Sequence, residues 1–433
     1  MMFSDEALVV LRRLEDAGYE AWIVGGAVRD LLMGNAASDI DFATNATPEQ
    51  IEAVFFDEHT LDVGKSFGTI RVVMPTAVYE VTTFRAESDY RDGRHPEQVR
   101  YSMHLEEDLQ RRDFTMNAMA WHPERGLRDP FGGERDLHAG LLRAVGCAEE
   151  RIAEDALRML RAVRFASRFQ WKMDPSLRRA IQAQHERIRF VSMERCHEEL
   201  ERMLTGEHPD SAVALLEETG LWKSLFTDTP AGDDALLFSV KEVCSPLLCI
   251  VPPTPALRWA ALGFGPSFAG STEETAMRLS RMDRLLRKLK TSTRLRDEVR
   301  LLLREVHLPL PETRADVQRL IGRTQPQQYQ LLQLMQAAST VASASSHERN
   351  ERMAALSRVE KQMHEVEQQH LPVEQSDLAL GGAELLAMGM KPGKRVGEML
   401  AWLLDQVIDG QVENTVATLT KTVQQRMKKG EKE

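Results

Sequence analysis

The chain has 433 residues, 42% of them hydrophobic and 28% charged, with a formal net charge of −11. That length exceeds one compact core and suits two to four modules. The acidic balance argues against indiscriminate nucleic-acid binding while leaving room for a local basic cleft. No apolar run approaches a membrane span, and the first residues, acidic and helix-periodic, do not read as a signal peptide, so a cytoplasmic chain without a membrane partner is expected. Cys147, Cys196, Cys244 and Cys249 form no CxxC pair and read as free thiols.

In chain order, Ser4 can cap a helix carrying Ala7, Leu8, Leu11 and Leu14 that ends near Gly18. The apolar run 21–24 then meets Gly25 and Gly26, the pattern of a buried strand turning into a helix. Thr47-Pro48-Glu49-Gln50 is a capping box with proline at the first helical position. Residues 68–74 and 78–84 read as two strands joined by a proline-bearing turn. From about 145 onward the strand signal fades, and runs such as 151–169 and 192–206 repeat at the helical period. Polar or proline-bearing breaks fall at 227–234, 251–256 and around Pro309 and Pro311, and a Gln-rich stretch at 324–346 still suits a helix. The fold class expected is an α/β head with a mixed sheet, followed by an extended all-α neck, body and tail.

Chemistry concentrates in the head. Two glycines between strand and helix let backbone amides approach a triphosphate, and Arg29, one turn on, adds charge toward its oxygens. Asp39 and Asp41 are alternate residues on a short extended segment, so both carboxylates project from one face, a geometry that can hold two Mg²⁺ ions. A lone glycine pair or a lone DxD reads more readily as a solvated turn; the two together, at this distance, point to a metal-assisted phosphoryl chemistry.

Further along, Asp155 and Arg158 are read as sharing a helical face, with Glu154 four residues before Arg158 as its orienting partner. An aspartate accepts and an arginine donates. Cytosine and adenine both present an amine beside a ring-nitrogen acceptor and fit such a pair, whereas uracil and guanine reverse that polarity. An ordinary surface salt bridge is the alternative reading. Arg161 and Arg164 continue the strip, which favours a cleft wall.

Taken together, Val24 to Asp30 and Ser38 to Phe42 resemble the signature of the polymerase-β-like nucleotidyltransferases, in the class that contains bacterial tRNA CCA-adding enzymes and poly(A) polymerases. Further motifs match in order: Arg111-Arg112-Asp113-Phe114-Thr115-Met116-Asn117-Ala118, Asp129-Pro130-Phe131-Gly132-Gly133, Glu154-Asp155-Ala156-Leu157-Arg158 and Arg161-Ala162-Val163-Arg164-Phe165. The resemblance is strong over roughly the first 205 residues. It implies a template-independent, Mg²⁺-dependent transferase that builds or repairs the CCA end of tRNA from CTP and ATP. Asp39 and Asp41 would be catalytic, holding the metal. Gly25, Gly26, Arg29, Arg112, Asp113, Asn117, Asp155, Arg158, Arg161 and Arg164 would bind the nucleotide. The stretch 84–96, with Arg85, Glu87, Tyr90, Asp92 and Arg94, resembles the flexible loop of relatives that add the terminal A. Residues 380–398 resemble the tail of Firmicute-type members, where Lys391, Lys394 and Arg395 would meet tRNA phosphates. The modules expected are a head at 1–143, a neck at 144–205, a body at 206–310 and a tRNA-binding tail at 311–433. A poly(A) polymerase on the same scaffold, or a non-catalytic RNA-binding protein, are the alternatives.

Overall fold

The computed structural model describes residues 3–37, 39–62, 64–86, 100–226, 245–265, 272–343 and 345–430. The chain divides into two compact units, one of residues 1–240 with 288–291, the other of residues 241–287 with 292–433.

The first unit opens on α1 (Asp5–Asp16), whose N-terminus is closed by Ser4: its hydroxyl accepts from the Ala7 N–H, and Ala7, Val10, Leu11 and Leu14 point inward. Strand β1 (Ala21–Val24) is buried along its length and runs into α2 (Gly26–Leu32). After β2 (Asp41–Thr44), the capping box at Thr47 and Gln50 starts α3 (Pro48–Val54). Next come β3 (His59–Leu61), β4 (Thr69–Val73), β5 (Val78–Thr83), β6 (Arg85–Ala86) and β7 (Arg100–Tyr101), then α4 (Leu105–Gln110), β8 (Ala120–His122), β9 (Gly126–Arg128) and α5 (Gly133–His138). Seven of these strands form one mixed sheet in the order β3-β4-β5-β2-β1-β8-β9. β2 and β5 run parallel, and the other neighbours run antiparallel.

Strand alternation sends side chains to two cores. Ile23, Phe42, Ile70 and Val81 pack with α1 and α3 through Leu11, Leu14, Ile51 and Phe55. Trp22, Val24, Ala43 and Ala120 pack on the other face with Leu105 and Leu109 of α4.

Beyond the head, β10 (Leu141–Leu142) pairs in parallel with β11 (Lys172–Met173), so strand structure continues past 145. Between them the run read as one helical stretch is two helices, α6 (Ala148–Glu154) and α7 (Leu157–Phe169). The unit continues through α8 (Pro175–Gln184), α9 (Met193–Leu204), α10 (Pro209–Glu218) and α11 (Leu221–Phe226). The break expected at 227–234 lies outside the described residues.

The described part of the second unit is helical: α12 (Ser245–Ile250), α13 (Pro255–Phe264), α14 (Thr272–Lys288), α15 (Thr293–Glu305), α16 (Arg314–Thr324), α17 (Gln328–Ala342), α18 (Ser346–Gln368), α19 (Gly382–Ala387), α20 (Lys394–Ile408) and α21 (Val416–Gly430). Leu380, Leu385, Leu403, Leu419 and Val423 close a small core of their own at its C-terminal end. No helix among the described residues is long and apolar enough to cross a membrane.

Candidate active site

A cavity of about 530 Å³ opens in the first unit, in the size range of small-molecule sites. Its floor is the sheet. Gly25 follows β1 with φ 73°, a left-handed value that favours glycine. A Cβ there would also stand 2.8 Å from Nη1 of Arg112, so the residue has to be small for that guanidinium to reach the floor. Gly26 lies beside it and also lines the cavity.

Asp41 opens β2 and sits in register with Glu80 on β5. Both point to the face opposite Phe42 and Val81, as alternation requires, and both line the cavity. Burial pushes the Asp41 carboxyl up to about 6; the like charges of Glu80 and Asp39 add to this, and Arg112 opposes it. Asp39 lies in an exposed bend two residues before Asp41, ahead of β2, so the extended segment expected to carry both aspartates begins only at Asp41. Arg71 engages Glu80, with Nη2 2.7 Å from Oε1. Among the described residues no cage of three or more His, Cys, Asp or Glu is assembled for a metal. Asp41 and Glu80, with Asp39 close enough for its charge to act on Asp41, are hard oxygen donors of the kind a divalent cation takes.

Arginines dominate the walls. Seven of them (Arg29, Arg85, Arg111, Arg112, Arg158, Arg161 and Arg195) line the cavity against four carboxylates, Asp41, Glu80, Asp113 and Asp155. The local balance is thus opposite to that of the whole chain and suits a polyanion. Arg29 is buried, donates to Asn117 Oδ1 at 2.8 Å, and lies over the rings of Phe165 and Phe169. Asn117 in turn donates to Asp113 Oδ1. Asp113 is buried; burial raises its carboxyl, but the charge and hydrogen bond of the Arg161 guanidinium, 2.7 Å away, together with the Asn117 hydrogen bond and the charge of Arg158, hold it below the usual range. Asp108 is buried at 0% exposure and behaves in the same way toward Arg111 and Arg112.

The selection pair departs from the helical reading. α6 ends at Glu154, and Asp155 takes an extended conformation, φ −143° and ψ 105°. The physical reason is a competing cap: Asp155 Oδ1 accepts from the Leu157 N–H at 3.0 Å, a local bond that replaces helix continuation. Glu154 still holds Arg158 at 2.5 Å, as its spacing suggested. Arg158 also donates to the carbonyls of Arg151 and Arg111. Asp155 faces the same cavity, paired with Arg195 of α9.

Arg164 is elsewhere. It binds Glu199 at 2.5 Å and lines a second cavity of about 570 Å³ with Arg168, Phe169, Arg202 and His208. Of the loop residues, Arg85 is described and lines the first cavity; Glu87, Tyr90, Asp92 and Arg94 lie outside the described residues. The β6–β7 ribbon pins both ends of that segment. Lys391, Lys394 and Arg395 are exposed in the second unit, at the start of α20, where Lys394 is 3.3 Å from Glu398.

Family comparison matches this geometry to known proteins. Residues 21–143 match the family model described as "Poly A polymerase head domain", and residues 274–423 match "tRNA nucleotidyltransferase domain 2". The CCA-adding enzyme of Lactobacillus gasseri is 34% identical over 420 residues, 96% of this chain and 95% of that relative.

The chain belongs to the CCA-adding enzyme family.

The CCA-adding enzyme of Lactobacillus helveticus is 32% identical and covered to 96% on both sides. With the enzyme of Geobacillus thermodenitrificans, 47% identity extends over 216 residues, so that match spans about half of the relative's length, 53%. The crystal structure of the Bacillus stearothermophilus CCA-adding enzyme in complex with CTP superposes with a TM-score of 0.73 at 30% identity, covering 99% of this chain and 98% of that one. The Thermotoga maritima CCA-adding enzyme complexed with tRNA shares the fold, with a TM-score of 0.58 at 19% identity.

For a CCA-adding family member, sequence reasoning missed Glu80, Arg111 as a cavity residue, and Arg195. Glu80 had a signal: it is an acidic residue inside the β-rich run 78–84, alternating with buried Tyr79 and Val81. Arg195 had none, since its partner Asp155 is 40 positions away.

Proposed function

We propose that this chain adds CCA to the 3′ end of tRNA from CTP and ATP without a template, releasing pyrophosphate. One observation supports the reading: a carboxylate pair in strand register and a donor–acceptor pair at a helix break line one arginine-rich cavity. In this reading the floor of the cavity would serve phosphate chemistry and its wall base recognition.

Asp41, Glu80 and Asp39 would hold a divalent cation, Mg²⁺ in our reading. When bound it would neutralise the triphosphate and ease ionisation of the attacking 3′-hydroxyl. The protein's own share is positional. Gly25 and Gly26 leave room for the triphosphate, and Arg29 and Arg112 direct charge at it. Asp155 accepts from the amine of cytosine or adenine, while Arg158 donates to the neighbouring ring nitrogen. A base of reversed polarity leaves buried groups unpaired, at about 1–3 kcal/mol each. The 85–96 segment would help the site pass from CTP to ATP. Lys391, Lys394 and Arg395 would meet tRNA phosphates. The reaction would take place in the cytoplasm.

The test is incubation with tRNA lacking CCA and with each NTP alone and in mixtures, followed by 3′-end sequencing. Defined CCA ends from CTP plus ATP, and no extension with UTP or GTP, are expected. Long A tails would favour a poly(A) polymerase, the reading that the description of the matching head family keeps in view.

A further inference from the structure

We infer that Arg195 is a positioning residue for base selection: from α9 it grips both oxygens of Asp155 and fixes that carboxylate as an acceptor facing the cavity. The inference rests on the reading above that Asp155 and Arg158 meet the base.

The need for such a residue follows from the break between α6 and α7. In a continuous helix the backbone would set the direction of the side chain. Asp155 lies in extended backbone instead, so the aim of its carboxylate depends on what binds its oxygens. Arg195 Nη2 donates to Oδ2 at 2.6 Å, and Nη1 donates to Oδ1 at 3.3 Å. The Leu157 N–H donates to Oδ1 at 3.0 Å. An ionised carboxylate offers about four acceptor sites. Three are taken by these donors, and about one remains for a ligand. Every neighbour that binds the group is a donor, so the open site can only accept. An exocyclic amine satisfies it and a carbonyl does not.

Arg158 is held by the complementary rule. Glu154 and the Arg151 carbonyl take Nη1 at 2.5 and 2.8 Å, and the Arg111 carbonyl takes Nη2 at 3.0 Å. Among the described residues its Nε–H and one Nη2–H take no partner, which leaves them as donors. Each member of the pair thus has its polarity set by partners outside the pair. One turn beyond Arg195, Glu199 binds Arg164 and comes within 3.9 Å of Arg161, so α9 serves as a rail for the charged side chains of α7 as well. Arg195 lines the cavity, but its guanidinium is turned to Asp155, which is why its effect should be on discrimination rather than on affinity alone.

The experiment compares wild type, Arg195→Met, Arg195→Lys and Asp155→Asn in the full chain. Single-turnover incorporation of each NTP is measured on tRNA lacking CCA and on tRNA ending in CC, with melting temperatures in parallel. For Arg195→Met we expect the kcat/KM preference for CTP over UTP to fall by about tenfold, with KM for CTP and ATP raised and kcat changed less. Arg195→Lys keeps one charged donor and should restore part of the preference. An unchanged preference in Arg195→Met, or an equal loss for all four NTPs, overturns the inference. If Asp155→Asn relaxes selection while Arg195→Met does not, only the role of Arg195 fails. If Asp155→Asn also keeps the CTP and ATP preference, the underlying reading of the pair fails. Should Arg195→Met not fold, Arg195→Gln, which retains an amide donor but not the bidentate grip, carries the same comparison.

Discussion

Asp41 and Glu80 sit in register, and burial, with the like charge of Glu80 behind it, pushes the Asp41 carboxyl up. A buried carboxylate beside a like charge is a cost that a bound cation would offset. Asp39→Ala or Asp41→Ala should therefore abolish nucleotide incorporation while tRNA binding, followed by filter retention, stays close to that of the parent. Glu80→Gln should reduce incorporation as well, through the same donor set. Activity within about tenfold of the parent, a loss of only ~1.4 kcal/mol, would remove any of these residues from the metal-holding role.

At the scale of elements, the proposed function turns on the β6–β7 ribbon and the α6–α7 break. The ribbon pairs Arg85 with Tyr101 and Ala86 with Arg100. Replacing residues 85–96 with a short Gly/Ser linker should yield tRNAs that end in CC, read by sequencing of the 3′ ends. Equal loss of C and A addition would make the segment structural. Much of the head was legible because its signals are local. Ser4, Thr47 and Gln50 cap the helices their spacing announced, and Val81 and Tyr79 alternate inward as a half-buried strand does. The break at Asp155 was not legible, because the period of apolar residues runs straight through it. A cap bond to Leu157 and an arginine from α9 decide the conformation there, and neither is written in the local pattern. The separation of Arg164 from the first cavity was hidden for a similar reason. Spacing along α7 gives a face, but Glu199 on another helix decides which side chain turns where.

Across the whole molecule, charge placement bears on stability and, on the proposed function, on tRNA capture. Asp108 and Asp113 are enclosed, and their arginine partners hold both below the ordinary carboxylate range despite burial. A depressed folded-state value means stability that is present above the unfolded value near ~3.9 and lost as pH falls through the lower folded one. The first unit should thus keep its melting temperature down to about pH 4 and lose it steeply below. Asp108→Ala, which strands Arg111 and Arg112, should cost about 3–5 kcal/mol at neutral pH by denaturant titration. An unchanged midpoint would mean that these arginines find other partners. In the second unit, the exposed Lys394 and Arg395 of α20 give an electrostatic counterpart. Their double alanine variant should weaken tRNA affinity and flatten its log–log salt dependence by up to about two units, whereas a packing role would leave the slope unaltered.

The floor and the wall of the cavity are built on supports of unequal permanence. Asp41 and Glu80 stand on adjacent central strands of a seven-stranded sheet, so separating them means unzipping the head. Asp155 stands on a short interruption between two helices, held by side-chain bonds. Local opening draws on segments of the second kind, while amides of the first kind exchange with solvent only when the whole cooperative unit gives way. On the proposed function, Asp41 and Glu80, which would hold the metal, rest on the more permanent support, and Asp155, which would read the base, rests on the one that local opening reaches more readily, so substitutions there would retune nucleotide choice without unzipping the sheet.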